Sequence, residues 1–342
     1  MKLTSLLGLL TLSGCLWLSN AATASEKIFM ATSYPDTNFH TQLVKQFVAK
    51  VNEKTARELE IEVHSNSTLI RAPQIIRSVR MGQIKLGERI ISSLSNQDPI
   101  FTIDSLPFLI SSYDDAWRLY MASKPLLEKR LDEMGLKLLY TVPWPPQGIF
   151  APGELQSLKE LRGKRFRTYD QFTTKIAIAV GSDPVKIDAY ELPQAFATGM
   201  VDVMFDSGGT VGDLDLYRYR PVWYNAKAWM PKNMVFINKD YWAELSPEKR
   251  QAFSNAASEI EAEGWKLSRS LSEKFAKNFS DNGVKVIDPA QTPLGAELQT
   301  IGRQIIDQWK AQVPAEYAQV LIDYQHSNLE FLSSTPSLEA SQ

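Results

Sequence analysis

The chain has 342 residues, is 44% apolar and carries a formal net charge of -2, so its composition predicts a folded protein with a sizeable core rather than a disordered one. By length it should form about two domains. The near-neutral charge argues against a nucleic-acid partner, which would need a basic face. Because the histidines His40, His64 and His326 lie far apart and only one cysteine is present, we expect no metal site and no cofactor.

Residues 1–24 have the features of a secretory signal peptide. Lys2 gives a positive start, Leu3–Leu18 is an apolar run broken by small residues, and Ala22-Thr23-Ala24 is a cleavage sequence. Removal of this segment, which includes Cys15, would leave a mature chain without cysteine, which suits a bacterial periplasm. An alternative stays open, because Leu12-Ser13-Gly14-Cys15 resembles a lipobox in which Cys15 is lipidated and retained.

The first half of the mature chain alternates between strand and helix patterns. Asn38 can cap a helix with apolar residues at helical spacing, and Leu59–His64 alternates as a half-buried strand. A second strand is predicted at Ile84–Ile90. An amphipathic helix from Tyr113 to Met134 is followed by the strand Leu136–Val142.

Prolines mark the end of this first half. Pro143, Pro145 and Pro146 cannot continue a central strand, since each lacks a backbone N–H. We therefore predict a stiff segment that crosses from one half of the protein to the other.

Strands and helices alternate again from Ser157 to Ser207, which predicts a parallel α/β sheet that binds ligands beyond the carboxyl ends of its strands. Arg167 is the penultimate residue of the predicted strand Arg165–Thr168, so its side chain should project into that crevice. A guanidinium group there can hold a carboxylate with two parallel hydrogen bonds. The alternative is a surface arginine in a basic run with Arg162 and Lys164.

The longest helical pattern lies in the last third of the chain. Ser246 is a candidate N-cap, Pro247 occupies the first helical position, and only Gly264 interrupts the run to Gly283. A helix of about 36 residues would be on the order of 54 Å long, so it should brace both halves. A strand at 284–287 and a last long helix at 294–312 follow, and the tail 333–342 is expected to be disordered.

Five segments together resemble the solute-binding protein of tripartite ATP-independent periplasmic (TRAP) transporters, the dicarboxylate-binding-protein family: ATSYPDTNFHTQ, GKRFRTYD, GSDPVKI, AFATGMVDVMFDS and WMPKN. The resemblance implies an α/β, two-lobed periplasmic-binding-protein-like fold with crossing hinge strands and a long helix spanning both lobes. Lobe I would comprise 25–144 plus 233–272, and lobe II 145–232 plus 273–332. The lobes would close over a small organic carboxylate and deliver it to a TRAP permease in the membrane, with no catalysis.

The resemblance also assigns roles within the site. Arg167 matches the arginine that clamps the ligand carboxylate. Gln147 stands where some members carry a second arginine, so a ligand with a single carboxylate fits better than a dianion. An asparagine that some members place after their Val-Asp segment falls here at Asp206 or Ser207, and a pocket-facing Asp206 would disfavour a dianion further.

Four further pocket candidates rest mainly on their positions at strand ends and in the hinge. Glu88 would face the cleft and accept from a ligand hydroxyl or amine, unless it is solvated or paired with Arg89. Tyr169 and Asn233 are expected contacts from the second lobe and the hinge, and Trp144 is expected to form a wall.

Two other functions remain open at this point. The chain could be a receptor that feeds a sensor kinase instead of a permease. It could also be an exported hydrolase or lyase, but no Ser-His or Cys-His arrangement with a suitable nucleophile is visible in the sequence. Replacing Arg167 by alanine should abolish binding with little loss of fold if the receptor interpretation holds.

Overall fold

A computed structural model of the protein describes residues 25–334. The expected signal peptide, Cys15 and most of the expected tail therefore lie outside the described residues. The strands are β1 Glu26–Ala31, β2 Leu59–His64, β3 Leu86–Ile90, β4 Leu136–Pro143, β5 Gln147–Ala151, β6 Arg165–Thr168, β7 Asp183–Lys186, β8 Val203–Ser207, β9 Val222–Tyr224, β10 Lys232–Asn238 and β11 Lys285–Ile287. The α-helices are α1 Phe39–Lys54, α2 Ile75–Arg80, α3 Tyr113–Glu133, α4 Gln171–Ala179, α5 Leu192–Ala197, α6 Gly208–Asp213, α7 Lys239–Glu244, α8 Pro247–Asp281, α9 Pro293–Gln312 and α10 Ala315–Ser334.

The strands form two separate sheets, one in each lobe. The first sheet has the order β2-β1-β3-β10-β4, and the second has the order β11-β9-β5-β8-β6-β7. Within the second sheet β6 is parallel to both β7 and β8, as the alternating pattern predicts, whereas β5 is antiparallel to β8 and β9. The parallel arrangement brings the carboxyl ends of β6 and β8 to the same edge of the sheet.

Two chain segments cross between the sheets and are hydrogen-bonded to each other. One contains the prolines that separate β4 from β5, and the other connects β9 to β10. The Trp144 amide donates to the Pro231 carbonyl at 2.8 Å, and the Gln147 amide donates to the Trp229 carbonyl at 2.9 Å. The prolines are tolerated because the neighbouring amides of Trp144 and Gln147 supply the donors of this crossing.

Helix α8 contacts both lobes, which confirms the prediction of a long bracing helix. Ser246 caps it by accepting a hydrogen bond from the Lys249 amide, and its 35 residues give a length of about 52 Å. Its middle lies so close to β4 that a Cβ on Gly264 would come within 2.5 Å of Val142. Towards its end, Phe275 packs against Gly208 at the start of α6. Gly264 is thus required by the packing of the helix on the first sheet.

The C-terminal region differs from the sequence-based expectation. The helix predicted at 294–312 is present as α9, but it is not the last one, because α10 follows after Pro314. Tyr317, Val320, Leu321 and Tyr324 recur at helical spacing along α10 and are buried, and α10 packs on α3. Helix α10 ends at Ser334, so it includes Ser333 and Ser334, the first two positions of the tail expected to be disordered.

Candidate functional site

A small cavity lies between the two sheets, next to the crossing segments. The space open to the centre of a water-sized sphere is about 60 Å³. Its walls are formed by Ser33, Tyr34, Ala72, Arg89, Ile90, Trp144, Gln147, Arg167, Tyr169, Asp188, Ala189, Tyr190, Asp206, Thr210 and Pro231. Both lobes contribute, so an occupant of this cavity touches both halves of the protein at once.

Arg167 reaches the cavity from the carboxyl end of β6. Its side chain is only 3% exposed, although its neighbours Arg162, Lys164 and Arg165 are exposed. Nε donates to the Ile187 carbonyl at 3.0 Å and Nη1 donates to Asp206 Oδ2 at 2.6 Å. These contacts fix the orientation of the guanidinium group and leave N–H donors on Nη1 and Nη2 for a ligand.

Asp206 is the fixed counter-charge of Arg167. It is the penultimate residue of β8, which lies beside β6 in the sheet, and it is 5% exposed. Burial raises the pKa of Asp206, while the Arg167 guanidinium and the Ser207 amide, which donates to Oδ1 at 2.7 Å, oppose that rise. The pair places one positive and one negative group at the same wall of the cavity.

Gln147 and Tyr169 are held in place by a chain of hydrogen bonds. The Tyr169 hydroxyl donates to Gln147 Oε1 at 3.1 Å and accepts from Trp229 Nε1 at 3.0 Å. The Tyr169 ring also lies 4.7 Å from the guanidinium carbon of Arg167, a cation–π contact. Gln147 Nε2 donates one N–H to the Pro145 carbonyl at 3.5 Å, which leaves its second amide N–H for a ligand.

Trp144 lines the cavity, as expected, but Asn233 and Glu88 lie behind that wall. Asn233 Oδ1 accepts from Trp144 Nε1 at 2.8 Å and from the Tyr34 hydroxyl at 3.4 Å. Its Nδ2 donates to Glu88 Oε1 at 3.2 Å, and Glu88 Oε2 accepts from Thr32 at 2.5 Å. Glu88 is therefore neither solvated nor paired with Arg89; burial raises its pKa to about 7.

Ser207 likewise supports the site from behind. Its side chain accepts from the Thr210 amide at 3.2 Å and caps α6. Thr210, one turn further along, lines the cavity in its place.

Arg89 is the cavity residue that the sequence analysis did not select. It is the penultimate residue of β3, as Arg167 is of β6, and it is 9% exposed. Nη1 donates to Ser33 Oγ at 3.1 Å, and among the side chains described for residues 25–325 no carboxylate forms an ion pair with Arg89. The rule that selected Arg167 at a strand end would have selected Arg89 as well.

Two further properties bear on the site. In the described part of the chain, no group of three or more His, Cys, Asp or Glu side chains is arranged to hold a metal ion. The helices between residues 25 and 334 include none that is both long and apolar enough to cross a membrane.

Comparisons with known proteins give one consistent result. The sequence model of DctP, bacterial extracellular solute-binding protein, family 7, matches residues 30–312. The crystal structure of DctP7, a Bordetella pertussis extracytoplasmic solute receptor binding pyroglutamic acid, is 38% identical, with a TM-score of 0.85 over 88% of this chain and 100% of that chain. A TRAP solute-binding protein specific for pyroglutamate, from an unidentified marine microbe, is 35% identical, with a TM-score of 0.86 over 88% and 99% of the two chains.

Among curated proteins, the 2,3-diketo-L-gulonate-binding periplasmic protein YiaO of Escherichia coli K12 is 23% identical over 92% of this chain and 96% of its own length. The family match extends over most of the chain and agrees with the two-lobed fold and the buried interlobe cavity. The protein therefore belongs to the DctP family of bacterial extracellular solute-binding proteins, family 7.

Proposed function

We propose that this protein is the periplasmic receptor of a TRAP transporter, that it captures a small acid with a single carboxylate, and that pyroglutamate is the first candidate. It would deliver the acid to the membrane permease. The family consists of solute-binding proteins, so the hydrolase or lyase alternative is set aside. The observation that carries the proposal is the buried guanidinium of Arg167 at the wall of a cavity shared by both lobes.

The charges around the cavity favour a ligand with one carboxylate over a ligand with two. Arg89 and Arg167 face Asp188 and Asp206, and Asp206 already neutralises Arg167. A second ligand carboxylate would have to approach one of these aspartates, which is unfavourable in a buried site. The uncharged amide of Gln147 is suited to a neutral polar group at the other end of the ligand.

The size of the cavity and the ligands of related receptors both favour a small acid with one carboxylate. The small cavity, with about 60 Å³ open to the centre of a water-sized sphere, favours a small ring acid over a larger sugar acid. Two related receptors, 38% and 35% identical, are described with pyroglutamate, which combines one carboxylate with a neutral lactam amide. In the proposed complex the carboxylate lies at Arg167 and Arg89, and the lactam lies towards Gln147.

Binding from both sides would couple the ligand to closure. Arg167 belongs to the second sheet and Arg89 to the first, so a carboxylate held by both is bound fully only when the lobes are together. A ligand shifts an open–closed equilibrium by its differential affinity for the two states. The two arginines would supply that difference.

A thermal-shift screen of the mature chain, followed by calorimetry, tests this proposal. Pyroglutamate is compared with proline, which has the same ring without the lactam carbonyl, and with the dicarboxylate glutarate. At a free concentration of 100 Kd the ligand should stabilise the fold by about 2.7 kcal/mol. Arg167→Ala should abolish this stabilisation. Arg162→Ala is its matched control, because Arg162 is an exposed arginine of the same basic run and its loss should leave binding unchanged.

Stabilisation by glutarate but not by any monocarboxylate would contradict the proposed charge preference. Location and partner need separate measurements. The mature chain should appear in the periplasmic fraction without residues 1–24, and it should be required for uptake of the acid into cells that contain the permease. Uptake that persists without the receptor would contradict the transport role.

A further inference from the structure

A larger, positively charged groove adjoins the ligand cavity at the boundary between the lobes. It is lined by α2 and the segment 89–97 on the side of the first sheet, and by the start of α4 and the end of β7 on the side of the second. The space open to the centre of a water-sized sphere is about 520 Å³. Ala72, Arg89, Tyr169 and Asp188 line both the groove and the cavity, so the two are adjacent. We call this region the basic groove.

The charge of the basic groove stands out from the rest of the protein. Five cationic side chains line it: Arg77, Arg80, Arg89, Lys175 and Lys186. They face two carboxylates, Asp170 and Asp188, which leaves a local excess of three positive charges in a chain whose formal net charge is -2. The excess is therefore a feature of this region and not of the overall composition.

The cations of the groove are not neutralised by neighbours. Among the side chains of residues 25–325, no carboxylate forms an ion pair with Arg77, Arg80, Lys175 or Lys186. Asp170 is 8% exposed and caps α4, where its Oδ1 accepts from the Thr173 amide at 2.8 Å and from the Thr173 hydroxyl at 2.8 Å. The field of the groove is available to an anion in solution.

The other side of the ligand cavity has the opposite character. The space there is lined by residues that include Asp213 but no lysine or arginine. Asn38 of the first lobe donates from Nδ2 to Asp213 Oδ2 of the second at 2.6 Å, which ties the lobes together at this end. An anion that reaches the cavity from this side meets a carboxylate and an interlobe hydrogen bond.

From this asymmetry we infer that the basic groove is the capture site and entry route for the anionic ligand. The groove concentrates the anion near the cavity, and Arg89, which lines both spaces, receives its carboxylate before the lobes close on it. Fields of this kind raise association rates by roughly 10- to 1000-fold and are screened by salt. The inference rests on the proposed function, since it assumes an anionic ligand. It adds the path by which the ligand reaches the cavity and the effect of this path on the association rate.

The test reverses two exposed charges of the groove that do not line the ligand cavity, in the variant Arg80→Glu/Lys186→Glu. This changes the local balance from an excess of three positive charges to an excess of one negative charge. The control, Lys266→Glu/Arg303→Glu, makes the same chemical change at exposed positions of α8 and α9 outside both spaces. Binding is followed by stopped-flow tryptophan fluorescence, since Trp144 lines the cavity.

The probe is pyroglutamate, or the tightest-binding acid of the screen if pyroglutamate does not bind. At an ionic strength of about 10 mM the groove variant should associate at least about tenfold more slowly than the wild type, and this gap should close at about 0.5 M. The dissociation rate should change less than about twofold, and the control should match the wild type. If the groove variant, the control and the wild type associate equally fast at low salt, the proposed entry route is refuted, but the proposed function is not. If no acid binds the wild type, the proposed function fails as well.

Discussion

Replacing Arg167 by alanine should remove ligand binding and also destabilise the fold. From the sequence alone we expect little loss of fold, whereas the contacts of Arg167 in the structure predict a loss of stability. Arg167 is 3% exposed and pairs at 2.6 Å with Asp206, which is 5% exposed. The variant leaves a buried carboxylate without its cation.

The size of the effect follows from this geometry. Removing one partner of a buried ion pair costs about 3–5 kcal/mol, because the remaining charge stays out of water. Burial already raises the pKa of Asp206, and without Arg167 that pKa should rise further. A carboxyl group whose pKa is raised in the folded state binds more protons folded than unfolded, so its contribution to stability falls as the pH rises. The loss in Arg167→Ala should therefore be larger at pH 8 than at pH 5.

The double variant Arg167→Ala/Asp206→Asn separates binding from stability. With the buried charge gone, it should regain at least about 2 kcal/mol relative to Arg167→Ala while still failing to bind the ligand. Urea unfolding at pH 5 and pH 8 measures the stability, and calorimetry measures the binding. A double variant no more stable than the single one would refute the account of Asp206, and wild-type affinity in either variant would refute the clamp.

Three more changes test other parts of the structure. Gln147→Arg adds a cation to the cavity wall and should move the ligand ranking from pyroglutamate towards glutarate in calorimetry; an unchanged ranking means that Gln147 does not address the ligand. Burial raises the pKa of Asp213 to about 6, so the wild type loses stability as the pH rises through this range. Relative to the wild type, the unfolding free energy of Asp213→Asn should therefore increase by on the order of 2–3 kcal/mol between about pH 4 and above pH 6. A pH-independent difference in unfolding free energy would contradict this. Gly264→Ala should lower the unfolding free energy, measured in urea, by about 1–3 kcal/mol, because the added Cβ would lie 2.5 Å from Val142. This clash outweighs the roughly 1 kcal/mol gain in helix propensity. The control Ser258→Ala, at an exposed position of the same helix, should be nearly neutral.

Local signals in the sequence were sufficient for most elements of the fold. The N-cap Ser246, Pro247 and a helical pattern interrupted only by Gly264 define α8. The alternation from 157 to 207 defines the parallel part of the second sheet. The apolar spacing of α10 was equally legible, from Tyr317 to Tyr324, but the prediction stopped at the preceding helix. These features depend on residues close together in the chain.

The face on which a strand presents its side chains was harder to predict. Glu88 and Arg89 are neighbours in β3, so their side chains point to opposite sides of the sheet. The sequence analysis placed Glu88 in the cleft, whereas the structure places Arg89 there and Glu88 behind the wall with Asn233. Strand alternation determines that the two side chains lie on opposite sides of the sheet. The position of the second lobe determines which of these sides faces the cavity.

By itself, the sequence determined the order of the elements, the long helix with its single glycine, the family, and the strand-end position of Arg167. Only the tertiary structure decided that Arg167 is neutralised by Asp206, which lies 39 residues away, and that the cations from α2, β3, α4 and β7 meet in one groove. Pairings of this kind depend on how strands and lobes are brought together over long distances in the chain. The physical reason is that burial and charge are properties of the assembled surroundings, which no local pattern contains.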